Sequence, residues 1–137
     1  MTDEGFPPRA RFTALPSQFV SGFLPQMEDL AEVKACLFFF WKLGQKRGWP
    51  RFVTLSELLA DPAVATGWAG DPQNELTRGL ALAARRGVLI CRSREQAGRR
   101  EDLLFLNTEM DRKAAETIGV AGFALPAVTG SPPVDRP

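Results

Sequence analysis

Arginine is the side chain best placed to do chemistry in this sequence. Arg92, Arg94, Arg99 and Arg100 fall within nine residues, around a polar stretch that contains Gly98. Such a set on a loop serves phosphate or minor-groove contact, because each guanidinium stays charged and offers donors in a fixed fork. Glu95, Glu101 and Asp102 dilute the charge, so a solubilising loop is the competing reading. A second set, Asn74, Arg78, Ala81 and Arg85, recurs at i, i+4, i+7 and i+11 and shares one helix stripe. Arg there addresses guanine edges or phosphates, Asn addresses adenine, and Ala81 admits a close backbone approach. A solvated helix face is the alternative, with arginines at its C-terminal end for the dipole and Glu75 beside the stripe.

Other chemistry is scarce. The 137 residues contain no His and no Tyr. That removes a Ser-His-Asp triad, a Cys-His pair, a His-ligated metal and a phenol acid or base. Glu28, Asp29 and Glu32 share part of a helix but read as ordinary complements to its N-terminal dipole. Gly67-Trp68-Ala69-Gly70 lacks the Lys-Ser/Thr of a phosphate loop. Cys36 and Cys91 lie in apolar runs and read as buried thiols in a reducing compartment, with a disulfide as the alternative. The expectation is a non-enzyme with no catalytic residue, metal or cofactor.

Net charge is +1, but 11 of the 17 basic residues and only 5 of the 16 acidic ones lie between Lys42 and Arg100. A basic middle between acidic flanks points to a polyanion partner. The longest uncharged apolar run, Ala35 to Trp41, is seven residues, and the N-terminus carries no apolar leader. A cytoplasmic protein without a membrane segment is expected.

The elements that must position these residues follow from periodicity and caps. Residues 1–11 read as a disordered lead-in, and Pro16 opens a short helix in which Phe19 and Phe23 share a face. Residues 27–47 form the strongest helix, ended by Gly48. Within it, Phe38-Phe39-Phe40-Trp41 covers roughly 300° of the surface, which requires burial on nearly all sides. A short extended piece at 49–53 precedes a capping box, Thr54-Leu55-Ser56-Glu57, and a helix that stops near Asp61-Pro62. Asp71 caps the next helix, Pro72 opens it and Gly87 ends it. Val88–Cys91 and Leu103–Leu106 read as strands joined by a loop of roughly ten residues. Thr108 caps a last helix whose apolar side holds Met110, Ala114 and Thr117 or Ile118. The tail from Gly119 contains Pro126, Pro132 and Pro133 and reads as flexible.

Ten Phe and three Trp exceed what one small core needs. The excess predicts a homodimer or higher homo-oligomer with Phe12, Phe19, Phe23, Phe38 and Phe39 at the interface.

The order of helices running into a β-hairpin is that of a winged helix-turn-helix. The segments Leu-Ala-Glu-Val-Lys (30–34), Trp-Pro-Arg-Phe-Val-Thr-Leu-Ser-Glu-Leu-Leu (49–59), Leu-Ala-Leu-Ala-Ala-Arg-Arg-Gly-Val-Leu (80–89) and Phe-Leu-Asn-Thr (105–108) carry a resemblance. Together they resemble the N-terminal winged-helix domain of DnaD-type replication proteins over residues 12–118. That resemblance implies replication initiation or primosome assembly, with self-association as the main task of this domain. The family's second helical domain, which contributes to DNA binding, has no room after residue 118. The expected fold class is mainly α with a small β-hairpin (α+β), a winged helix-turn-helix with N- and C-terminal helical extensions. Its parts are a lead-in 1–11, a domain 12–118 and a Pro-containing tail 119–137. DNA and other replication proteins are the expected partners, bound through Asn74, Arg78, Arg85, Arg92, Arg94, Arg99 and Arg100 in the case of DNA. A dimeric operator-binding transcriptional regulator and a scaffold that binds no DNA are the alternatives.

Overall fold

A computed structural model describes residues 5–118, and the proposed tail 119–137 lies outside the described residues, as does the start of the lead-in. Between residues 5 and 16 the chain forms no helix or strand. Five helices follow: α1 (Leu30–Leu43), α2 (Leu55–Ala60), α3 (Pro62–Ala65), α4 (Pro72–Arg86) and α5 (Glu109–Ile118). Three strands, β1 (Val53–Thr54), β2 (Leu89–Gln96) and β3 (Arg99–Leu106), form an antiparallel sheet in the order β1-β3-β2. The fold is therefore mainly helical α+β. No helix among the described residues is long and apolar enough to cross a membrane.

Local hydrogen bonds set most boundaries. Asp29 caps α1 by accepting from the Ala31 N–H at 2.9 Å. The capping box at α2 is complete: Thr54 Oγ1 accepts from the Glu57 N–H at 3.1 Å, and Glu57 accepts from the Thr54 N–H at 2.7 Å. Asp61 ends α2 and caps α3, accepting from the Ala63 N–H. Asp71 caps α4, and Gly87 closes it at φ 98°, a conformation that suits glycine. Thr108 Oγ1 caps α5 by accepting from the Asp111 N–H at 3.0 Å.

Three expectations need correction. Helix α1 is shorter than 27–47, because tighter turns at Gln45 and Lys46 replace its ladder after Leu43. The stretch after Pro16 forms a π-turn at Phe19–Phe23 and a 3-10 turn at Leu24–Gln26. The ten-residue loop is mostly strand: Gln96 pairs with Arg99, leaving Ala97 and Gly98 as the whole turn. Both have positive φ, 56° and 76°, as a two-residue primed turn requires.

The sheet separates two cores. Val53, Leu89, Cys91 and Leu104 share one face and pack with Ala35, Cys36, Phe39, Phe40, Leu58, Leu76 and Leu80. On the other face Leu103 and Phe105 meet Ala115 of α5, with Phe52, Ile90 and Ile118 at the margin. Helix α5 thus buries Asp111 and Ala115, while Met110 is exposed. Helices α1 and α4 approach closely at Gly79, where an added Cβ would run into the Ala31 carbonyl oxygen and lie 2.8 Å from both the Ala31 carbonyl carbon and Ala35 Cβ. No disulfide joins Cys36 and Cys91, and both are buried. Burial, with the Glu32 carboxylate adding to it, pushes the Cys36 thiol up to about 12.

The aromatic excess is mostly absorbed within the chain. Phe19 and Phe39 are buried, with ring centroids 4.9 Å and 5.4 Å from Phe40. Neither offers surface to a second copy, which corrects their assignment to an interface. Phe23 is half-buried against the main core, and Phe38 lies 5.7 Å from Trp68 and directly beneath Gly67. Phe12 is 94% exposed. The outer face of α1 presents Leu30 and Leu37, 65% and 41% exposed, rather than phenylalanine.

Candidate nucleic-acid interface

Helix α4 holds the expected stripe only in part. Asn74, Arg78 and Arg85 are exposed, but Ala81 is buried at 1%, so it provides no close-approach surface. Arg78 donates to Asp29, the cap of α1, and to Glu75 at 3.0 Å. Those hydrogen bonds, Asp29 first, raise Arg78 above its ordinary value. Burial alone would raise the Asp29 carboxyl, yet Arg78 and the Ala31 N–H outweigh it and hold the group low. Arg78 is therefore a clasp between α1 and α4. Among the described residues no hydrogen bond or ion pair engages the side chains of Asn74 and Arg85.

Arg86, two turns further along α4, also reaches α1 and forms a fork with Glu32, Nε to Oε2 at 2.6 Å and an Nη to Oε1 at 2.9 Å. The Glu32 side chain is 1% exposed. Glu32 is thus half of an inter-helix ion pair rather than a dipole complement at the surface. Lys42 bonds Asp61 and Lys46 bonds Glu57, each at 2.6 Å, fastening α1 to the α2–α3 corner. Burial acts to raise Glu57, but Lys46 and the Thr54 N–H hold it below its ordinary value. Much of the basic middle is consumed in this way.

The remaining charge concentrates on the hairpin. Arg94 pairs with Glu101 at 3.0 Å directly across the strands and stacks over Phe52 at 5.4 Å. Arg92 is half-buried and donates to the Cys91 carbonyl at 3.3 Å. Arg99 and Arg100 stand exposed beside the turn, without an ion pair among the described residues. They border a groove of about 450 Å³ against α2, together with Ser56, Glu101 and Asp102. Burial pushes the Asp102 carboxyl up against the opposing pull of Arg100, and its Oδ1 is buried without a hydrogen-bond partner among the described residues.

A second groove, about 330 Å³, separates the end of α4 from the start of β2 and brings Arg85, Arg92 and Asn107 together. The charge reading missed Arg112, which joins this group by donating to Asn107 Oδ1 at 2.9 Å. Its signal is visible only once α5 is seen to pack on the outer face of the sheet, four residues after Thr108.

No known protein-family model matches this chain, and no curated protein or solved structure is significantly similar to it.

Proposed function

We propose that this chain is a DNA-binding winged-helix protein of replication initiation or primosome assembly that works as a homo-oligomer. The observation that carries the reading is the pair Arg99 and Arg100, exposed and unpaired among the described residues, on a hairpin closed by a two-residue turn. The hairpin follows α4 directly, and the order α1-β1-α2-α3-α4-β2-β3 with sheet order β1-β3-β2 fits the winged-helix layout. In this reading the turn end of the hairpin grips duplex phosphates, while Asn74 and Arg85 on α4 face the groove. The replication context rests on the resemblance of residues 12–118 alone. A second copy docks on the exposed Leu30 and Leu37 of α1, with the exposed Phe12 as a further apolar contact.

The test is a salt-titrated fluorescence anisotropy measurement on a labelled duplex. Arg99→Glu/Arg100→Glu is expected to weaken binding at least tenfold at low salt, since each reversed charge loses a phosphate contact and adds repulsion. Unchanged binding would sink the reading. The scaffold reading is favoured by Arg78 and Arg94, whose charges are already neutralised by carboxylates. It predicts no wild-type DNA binding at low salt together with a stable oligomer by light scattering, abolished by Leu30→Glu/Leu37→Glu.

A further inference from the structure

The arginines that end the α4 stripe and begin the hairpin do not stand alone. Arg85 comes from α4, Arg92 from β2 and Arg112 from α5. Asn107 is the hub between them. Its N–H donates to the Val88 carbonyl at 3.2 Å, and its Nδ2 donates to the Gly87 carbonyl at 2.8 Å. Its Oδ1 accepts from Arg112. The side chain is thereby fixed on both ends, and it holds the C-terminus of α4 against the N-terminal part of α5. Arg85 and Arg92 line the groove that Asn107 closes.

From this placement we infer that Arg85, Arg92 and Arg112 form a second phosphate-binding site, which holds a nucleic-acid backbone at the base of the hairpin. The inference rests on the DNA-binding reading above and joins Arg85 and Arg92 to Arg112 in one phosphate contact at the base of the hairpin, apart from the Arg99–Arg100 turn that carries that reading. Arg112 uses one guanidinium donor on Asn107 and keeps the others, and Arg85 has no partner among the described residues. Arg92 lends one donor to the Cys91 carbonyl and keeps the rest. Guanidinium forks match phosphate oxygens two at a time. Arg92 and the paired end at Gln96 are four residues apart, about 13 Å along the strand. A single carboxylate meets one such cluster. A duplex, with one charge per ~1.7 Å of axis, meets the base and the turn end together.

The experiment uses the full chain and a labelled 20-base-pair duplex of mixed sequence, with anisotropy read across a salt series. The triple variant Arg85→Gln/Arg92→Gln/Arg112→Gln is expected to lower the slope of log affinity against log salt by about 2.7, roughly 0.9 for each of three phosphates. Arg85→Glu provides the same readout without disturbing any bond, because that side chain is exposed and unbonded among the described residues; a slope change of about 0.9 is expected. Wild-type slopes in both variants, with binding lost only in Arg99→Glu/Arg100→Glu, would overturn this site and leave the DNA reading standing. Absence of wild-type binding at 50 mM salt would overturn both.

Discussion

Replacing Arg86 with methionine strands the Glu32 carboxylate between α1 and α4. Arg86 supplies two hydrogen bonds, at 2.6 and 2.9 Å, to a side chain that is 1% exposed. Methionine keeps most of the stem volume and removes the charge. Breaking a buried pair at one partner costs about 3–5 kcal/mol, and Arg86 retains 23% exposure, which places the loss near the lower end, about 3 kcal/mol. An unfolding entropy of roughly 2.1 cal/mol/K per residue over residues 5–118 gives about 0.24 kcal/mol/K, so the melting temperature should fall by about 12 °C. The double variant Glu32→Met/Arg86→Met separates stranded charge from lost packing. With both charges gone and the volume kept, it should recover most of the loss and lie within about 1–2 kcal/mol of wild type. Thermal and urea melts by circular dichroism read wild type, Arg86→Met, Glu32→Met and the double variant. A double variant as unstable as the sum of the two single ones would refute the reasoning, because the side chains would then act independently.

The other predictions concern backbone, turn, thiol and titration. Gly79→Ala should destabilise by about 2 kcal/mol or more in a urea melt despite alanine's better helix propensity, because its Cβ meets the Ala31 backbone and Ala35; a gain in stability would contradict the helix contact. Ala97→Asn should stabilise by about 0.5–1 kcal/mol, since asparagine tolerates the positive φ of 56° better than alanine, and equal or lower stability would contradict the turn geometry. Cys36 should react with a thiol reagent at pH 8 only on the timescale of unfolding, given a thiol pushed up to about 12; fast native-state labelling of Cys36, located by peptide mass, would contradict its burial. Asp102→Asn should raise the melting temperature at pH 7 and not at pH 3. The Asp102 carboxyl is raised by burial, so its ionisation costs stability as pH climbs above the ordinary 3.8, whereas below it the native group is neutral as well.

Legibility in the sequence followed the range of the interaction. The Thr54–Glu57 box, the Asp61-Pro62 stop, the Asp71-Pro72 start and the Gly87 stop are all bonds within a few residues, and each stands where the pattern put it. The Glu32–Arg86 and Asp29–Arg78 pairs join positions 54 and 49 apart, and no local pattern reveals them. The same range explains why a stripe of exposed arginines on α4 is partly a clasp. The hairpin misread has a different cause. Beyond Cys91 and Leu103 the strands leave both cores and lose hydrophobic alternation, so they look like a loop. The strand ladder carries on there, with the Arg94–Glu101 ion pair across it, where no apolar pattern marks it. The aromatic run on α1, expected to be buried on nearly all sides, is enclosed only at Phe39 and Phe40. Phe38 and Trp41 are half-buried, and Leu37 is 41% exposed.

Arginine side-chain Nε–Hε spectra of the ¹⁵N-labelled chain, recorded as a duplex is added, test the central claim that the hairpin and the end of α4 present the usable charge. Arg85, Arg92, Arg99, Arg100 and Arg112 should shift, while Arg78 and Arg86, held by Asp29, Glu75 and Glu32, stay in place. Shifts confined to Arg78 and Arg86, or no shifts at saturating duplex, would contradict it.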